Sequence, residues 1–222
     1  MSNPTADNTT KSAWPRAAIF DFDGTLADTT SRWAAAYQGC LGRRGRTIDE
    51  PTLRALAGAS VPDAARALDI PPDELAAALA GAFRAQPLTE MPGATVLVRA
   101  LSPHTRLAIA SNGPAALVRL GLDQLGLRPY FDAIVSAEDA GAFKPAPDVY
   151  LHAAAEVGLR PWECVAIEDS AVGIQAAKGA GLPVIYISAS AHDQGAADLH
   201  APQLDDTKVM CYLSAKVTVP TG

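Results

Sequence analysis

The sequence predicts an α/β protein in which a parallel sheet, covered on both faces, carries a small helical insertion. Two patterns lead there. Five short apolar runs rich in Val, Ile and Phe recur with helix-like segments between them, and near-continuous apolar strands separated by helices belong to sheets buried on both sides. The gap between the first and second runs far exceeds the dozen or so residues that a parallel crossover needs, and its apolar positions follow helical spacing.

In chain order, the first strand is expected at Ala17 to Phe22. The insertion follows, with Trp33, Tyr37, Cys40 and Leu41 forming one helical stripe and Leu75, Leu79 and Phe83 another. Start signals divide it into about four helices: Thr30 or Ser31 ahead of Trp33, Pro51 opening a segment that reaches Leu56, Pro62 opening the next, and Pro72-Asp73-Glu74 the last. Gly42, Gly45 and Gly58 punctuate them. The chain re-enters the main body at Met91-Pro92-Gly93, a hinge beside a helix from about Ala94 to Leu101. Further strands are expected at Leu107 to Ala110, Ala133 to Val135, Cys164 to Ile167 and Pro183 to Ile187, and Lys208 to Leu213 is read as a last strand within an otherwise loop-like end from residue 193. The domains are therefore a flexible tail (1–16), a core (17–28 and 92–222) and a helical cap (29–91).

Composition narrows the function. With 222 residues, 49% of them hydrophobic, the chain can build a sizeable core. A net charge of −6 opposes a polyanion-binding surface, so no nucleic acid partner is expected. The one basic cluster, Arg43, Arg44 and Arg46, reads as a solvated loop. Cys40, Cys164 and Cys211 are odd in number and lack metal-ligand spacing, which fits a reducing cytoplasm. The polar N-terminal stretch has no apolar leader core, and no apolar run approaches the roughly 20 residues of a membrane span. A soluble, cytoplasmic monomer or weak homodimer with no membrane partner is the expectation.

The chemistry is concentrated where strands should end. In "FDFDGTLADT", Asp21 and Asp23 stand two apart on one side of a strand, about 6–7 Å along it, a spacing that brackets one small reacting group such as a phosphoryl. Gly24 then lets the backbone turn, leaving both carboxylates at the carboxyl end of a parallel strand, where open α/β sheets bind ligands. Alone, the pair is also an Asp-rich turn.

Three more motifs stand after later strands. Ser111-Asn112-Gly113 offers a hydroxyl, an amide and flexible backbone N–H groups to phosphoryl oxygens, although it also reads as a helix cap. Lys144 in "KPAPDVY" presents an ammonium from a proline-stiffened loop. Glu168-Asp169-Ser170 adds two acids, which singly would suit a helix N-terminus. Four carboxylates at one place repel unless a cation joins them, and hard oxygen ligands around a phosphate predict Mg²⁺.

In this order and on these strands the four motifs resemble those of the haloacid dehalogenase superfamily, across about Ala17 to Ser188. The resemblance implies a Rossmann-like core with a helical cap, and a mechanism in which Asp21 is the nucleophile and Asp23 the general acid and base. It also implies Mg²⁺ held by the Asp21 side chain, the Asp23 backbone carbonyl and Asp169 with help from Glu168, and a phosphoryl group gripped by Ser111, Asn112 and Lys144.

Asp23 is the acid that the dehalogenases and phosphonate hydrolases of the superfamily lack, which favours phosphate esters. The similar β-phosphoglucomutases carry a histidine where Trp33 stands and a Ser-Arg pair where this chain reads Ser60-Val61. The wording of the second and fourth motifs is similar to that of sugar-phosphate phosphatases. The expected function is Mg²⁺-dependent hydrolysis of a small phosphorylated metabolite, a sugar phosphate or phosphorylated sugar acid. The alternatives are a phosphosugar mutase, a phosphoglycolate phosphatase and a catalytically silent regulatory binder. Substrate choice is expected in the cap, at Gly58, Ala59, Ser60 and Trp33, with Trp33 either stacking on substrate or packing inside the cap, and Gly58 either contacting substrate or closing a helix.

Overall fold

The computed structural model describes residues 15–189 and 197–214. Of the expected tail, residues 1–14 lie outside the described residues, as do 193–196 and 215–222 of the last segment.

Strand β1 (Ala17–Phe20) leads through a tight turn to the short β2 (Ala27–Asp28), and four helices follow: α1 (Thr30–Gly42), α2 (Glu50–Ala55), α3 (Val61–Leu68) and α4 (Pro72–Ala85). The chain returns through β3 (Thr89–Glu90), then α5 (Ala94–Leu101), β4 (Arg106–Ser111), α6 (Ala115–Gln124), β5 (Ala133–Ser136), α7 (Ala137–Ala140) and α8 (Asp148–Glu156). The remainder comprises β6 (Cys164–Glu168), α9 (Ala171–Gly179), β7 (Val184–Ile187), β8 (Leu199–Ala201) and α10 (Thr207–Ser214).

The sheet runs β5-β4-β1-β6-β7-β8, with every pairing parallel. Each of the five expected strands is present. Alternation along β1 explains why both faces need cover: Ala18 and Phe20 join a cluster with Leu97, Leu122 and Val209, whereas Ala17 and Ile19 pack with Val149, Ala153 and Ile174. Helices α5, α6 and α10 thus cover one face and α8 and α9 the other. Each large aliphatic side chain so buried contributes about 1.5–3 kcal/mol.

The end of the chain departs from expectation. Lys208 to Leu213 lies within helix α10, not a strand, and the sixth strand is Leu199–Ala201. Val209 and Leu213, four apart, are buried together while Cys211 is exposed. A strand would have turned Val209, Cys211 and Leu213 the same way, so only the helix keeps the middle residue out of the core.

In the insertion the two expected stripes meet between α1 and α4, burying Tyr37, Cys40 and Leu41 with Leu75, Leu79 and Phe83. The basic cluster is exposed, as a solvated loop would be, and it is also tied down: Arg43 and Arg44 share Glu74, and Arg46 donates to the Leu68 carbonyl at 2.8 Å. The insertion leaves and rejoins the core through one antiparallel ribbon, Ala27 opposite Glu90 and Asp28 opposite Thr89.

Candidate active site

The site forms where β1 is flanked by β4 on one side and β6 on the other. Phe20 pairs with Ile109 and with Ile167, so one residue further on Asp21 emerges beside Glu168, and its N–H donates to the Ile167 carbonyl at 2.9 Å. Sheet order changes direction here, which opens a crevice at the strand ends. Gly24, with φ of +80°, turns the chain back, and its N–H donates to the Ala27 carbonyl at 2.9 Å. Any side chain at position 24 would collide with Asp169, since a Cβ would stand 2.1 Å from Asp169 Oδ2.

Lys144 is the electrostatic centre. Its Nζ donates to Asp21 Oδ1 at 2.5 Å and to Glu168 Oε1 at 2.6 Å, with the side chain almost wholly buried. Glu168 is saturated: Oε1 also accepts from the Tyr150 hydroxyl at 2.6 Å, and Oε2 from the Ser170 hydroxyl at 3.1 Å. Its carboxylate lies so close to α9 that a Cβ on Gly173 would be 2.0 Å from it. Glu168 is therefore held as the anchor of Lys144.

Carboxylate oxygens of Asp21, Glu168 and Asp169 lie within 4.8 Å of one another. Burial pushes the Asp169 carboxyl up to about 7, with the Glu168 charge adding to the rise against Lys144 and a Thr25 hydrogen bond. Burial likewise raises Asp21; Lys144 opposes the shift, and the charges of Glu168, Asp169 and Asp23 reinforce it. Burial disfavours the Lys144 ammonium, but Asp21 and Glu168 outweigh it and the group is held charged. One cation shared among three acids leaves the cluster short of positive charge, and an all-oxygen donor set suits Mg²⁺. The residues present fit that ion.

Asp23 faces the insertion. Its Oδ1 accepts from the Trp33 indole N–H at 3.0 Å, and its Oδ2 from the Ser111 hydroxyl at 3.5 Å. Trp33 was expected to stack or to pack; it does pack, tilted against Tyr37 with ring centroids 5.8 Å apart, but its polar edge serves Asp23.

Not every expected contact is available. Ser111 is fully buried behind the cleft, accepting from the Gly113 N–H at 2.9 Å. The Asn112 amide is committed to protein, accepting from the Lys144 N–H at 2.8 Å and donating to the Gly58 carbonyl at 2.9 Å. Gly58 and Ala59 border the cleft beyond the end of α2. Ser60 does not: it is buried at the N-cap of α3, where its hydroxyl accepts from the Asp63 N–H. Tyr150 and the polar edge of Trp33 escaped the sequence reading. Tyr150 stands in the quoted "KPAPDVY" run, six residues after Lys144 and in the first turn of α8, which is the signal that could have found it.

Asp21, Asp23, Asn112, Lys144 and Asp169 thus line one cleft, of about 680 Å³ counted out to solvent, with Trp33, Tyr37, Leu53, Leu56, Gly58 and Ala59 opposite them. A family model, haloacid dehalogenase-like hydrolase, matches residues 15–181. The chain belongs to that family. Within the haloacid dehalogenase-like hydrolases it is similar to the fructose-1-phosphate phosphatase YqaB of Escherichia coli K12, 35% identical over 76% of this chain and 94% of that one. It is also similar to hexitol phosphatase B of the same organism, at 33% identity over 78% of this chain and 83% of that one. Among solved structures, CbbY from Rhodobacter sphaeroides in complex with phosphate superposes with a TM-score of 0.79 at 26% identity, covering 89% of this chain and 98% of that one. The haloacid dehalogenase-like fold and these phosphatase relatives make this chain a phosphatase. Among the described residues no helix is long and apolar enough to cross a membrane.

Proposed function

We propose that the protein hydrolyses the phosphate monoester of a small phosphorylated metabolite, a sugar phosphate or a related compound, through an aspartyl-phosphate on Asp21. The observation that supports this most directly is the placement of Asp21: a buried carboxylate, oriented through Oδ1 by Lys144 and set beside Asp169, opening into the cleft.

In this reading Asp21 attacks phosphorus as the bond to the alcohol oxygen breaks, and Asp23 delivers its proton to that oxygen. Asp23 then takes a proton from water, whose oxygen attacks the same phosphorus and releases phosphate and the Asp21 carboxylate. Lys144 holds Asp21 in one orientation throughout, and Glu168 and Tyr150 hold Lys144. Asp21, Asp169 and the Asp23 backbone carbonyl would hold Mg²⁺, with Glu168 behind them; the ion supplies charge neutralisation between the carboxylate nucleophile and the phosphate. Since the transferring group is loose and charge-rich, positioning and electrostatics carry most of the rate. The helical insertion acts as the cap over the alcohol.

Water, rather than a second sugar hydroxyl, is the acceptor in this reading, because the loop position after Ser60 carries Val61 and no cation to hold a second phosphate. The test is phosphate release across a panel of phosphorylated metabolites with and without Mg²⁺, with Asp21→Asn in parallel. Loss of turnover by at least a thousandfold in the variant is expected; full turnover in Asp21→Asn would refute the role of Asp21.

A further inference from the structure

Resting on the phosphatase reading, a second feature of the cleft bears on which alcohol is released. Opposite the acids, the cap offers Trp33 and Tyr37 from α1, Leu53 from α2 and Leu56 just past its end. Tyr37 is 1% exposed, and its hydroxyl makes no hydrogen bond among the described residues although the residue lines the cleft. Among the described residues that hydroxyl is not one of the buried polar atoms left unpartnered, so it reaches the cleft, where water or a ligand atom can pair with it. Burial and then the Asp23 charge raise the Tyr37 pKa, which keeps the phenol neutral and able to donate.

Charge on this wall is absent for a specific reason. The cap contains arginines but no lysine, and the arginines are occupied elsewhere. Arg32 donates to the Pro87 carbonyl at 2.8 Å, Arg43 and Arg44 pair with Glu74, Arg54 pairs with Glu50, and Arg66 with Asp63. Among the described residues no arginine borders the cleft. Lys144, the one bordering cation among the described residues, is already divided between Asp21 and Glu168. A carboxylate on the alcohol would therefore be desolvated beside Asp23 with nothing opposite in sign to meet it.

We infer that this wall is a subsite for an uncharged, hydroxyl-bearing alcohol, in which Tyr37 hydrogen-bonds a hydroxyl of the esterified group, Leu53 and Leu56 cover its carbon face, and a second anionic group is rejected. The substrate class is then the monophosphates of neutral polyols and sugars, and phosphorylated acids are excluded.

Two matched pairs of esters test it, because in each a CH₂OH of one is a carboxylate in the other: glycerol 3-phosphate against 3-phosphoglycerate, and sorbitol 6-phosphate against 6-phosphogluconate. With Mg²⁺ present, kcat/KM is expected to be at least tenfold higher for the neutral member of each pair. Tyr37→Phe is expected to lower kcat/KM for the polyol phosphates about tenfold, mainly through KM, and for p-nitrophenyl phosphate, which has no hydroxyl to bind, by much less. Leu53→Arg, which adds a cation to the partly buried wall, is expected to narrow the preference against acids; thermal melts of both variants report their folding. Equal turnover within both pairs, or an equal loss on every ester in Tyr37→Phe, overturns the inference while leaving the phosphatase reading intact. Absence of phosphate release from every ester, p-nitrophenyl phosphate included, overturns both.

Discussion

The Trp33 indole N–H donates to Asp23 Oδ1 at 3.0 Å, so a residue of the first inserted helix holds the carboxylate two positions beyond the proposed nucleophile. An indole nitrogen only donates, which keeps that oxygen an acceptor and leaves the transferable proton to Oδ2, on the Ser111 side. Trp33 is a positioning residue in this arrangement. Trp33→Phe keeps the ring and removes the donor, and should lower kcat/KM about tenfold on alkyl phosphates, whose leaving oxygen needs a proton. On p-nitrophenyl phosphate, whose leaving group departs without one, the fall should be smaller. Steady-state kinetics on both esters decides it.

Stability should depend on pH and metal together. Asp169 is held at about 7 in the folded chain against an ordinary 3.8, so from about pH 4 upward the folded state keeps a proton that the unfolded state has lost. That contribution is full below the unfolded value and disappears as pH rises through 7; Asp21 shifts in the same direction. Mg²⁺ needs the ionised carboxylates, so it should raise the Tm more at about pH 8 than at about pH 5. Melting curves with saturating Mg²⁺ and with a chelator at the two pH values measure the difference. A larger metal effect at the lower pH would contradict the assignment of Asp169.

Gly24 and Gly45 make a matched pair. Both have positive φ, +80° and +65°, so alanine at either costs about 1–2 kcal/mol of backbone strain. Only at Gly24 would the new Cβ run into Asp169; at Gly45 it meets open space. Gly24→Ala should therefore lose activity by at least a hundredfold and bind Mg²⁺ more weakly, while Gly45→Ala loses stability alone. Isothermal titration with Mg²⁺ alongside turnover separates the two.

Ser60→Ala should cost stability and little else. The hydroxyl caps α3 by accepting from the Asp63 N–H at 3.2 Å, a contact worth about 1 kcal/mol, and it does not border the cleft. The expected result is a lower Tm with substrate preference across the ester panel unaltered. A changed preference would restore Ser60 to the specificity loop.

The strands and the four motifs could be read from the sequence because a central parallel strand must be apolar throughout, and polar residues such as Asp21, Ser111 and Glu168 then mark where it ends. Side-chain partners were less legible. Asn112 and Ser111 carry groups suited to phosphoryl oxygens, yet the fold satisfies them with Lys144, Gly58 and Gly113, contacts set by which loops meet and not by local spacing. Ribbon β2–β3 has two residues per strand, too few for any alternation to register, and its pairing spans the whole insertion. At α10 the run Val209 to Leu213 is apolar throughout, so it carries no period to tell strand from helix, and the exposure of Cys211 resolves it. Lys144 was found as a lone cation; its bridge between Asp21 and Glu168 depends on the sheet order.

The Asn112 amide is a latch with one end on each half of the molecule: its oxygen holds the Lys144 backbone and its nitrogen holds the Gly58 carbonyl. Along the cleft edge, the other polar catch joining the halves is the Trp33 to Asp23 bond. The amide bond is worth about 0.5–1.5 kcal/mol net of what water restores, and the bond to the Asp23 carboxylate about 1.5–3 kcal/mol. The halves are also joined away from that edge, where Gln124 donates to the Phe83 carbonyl at 3.1 Å and accepts from the Leu88 N–H at 3.0 Å, and where Phe83 and Leu88 share a buried apolar cluster with Phe22 and Leu122. Were both catches released, the halves would stay joined through that packed side, and the cleft would open as a tilt about it with the sheet beneath intact.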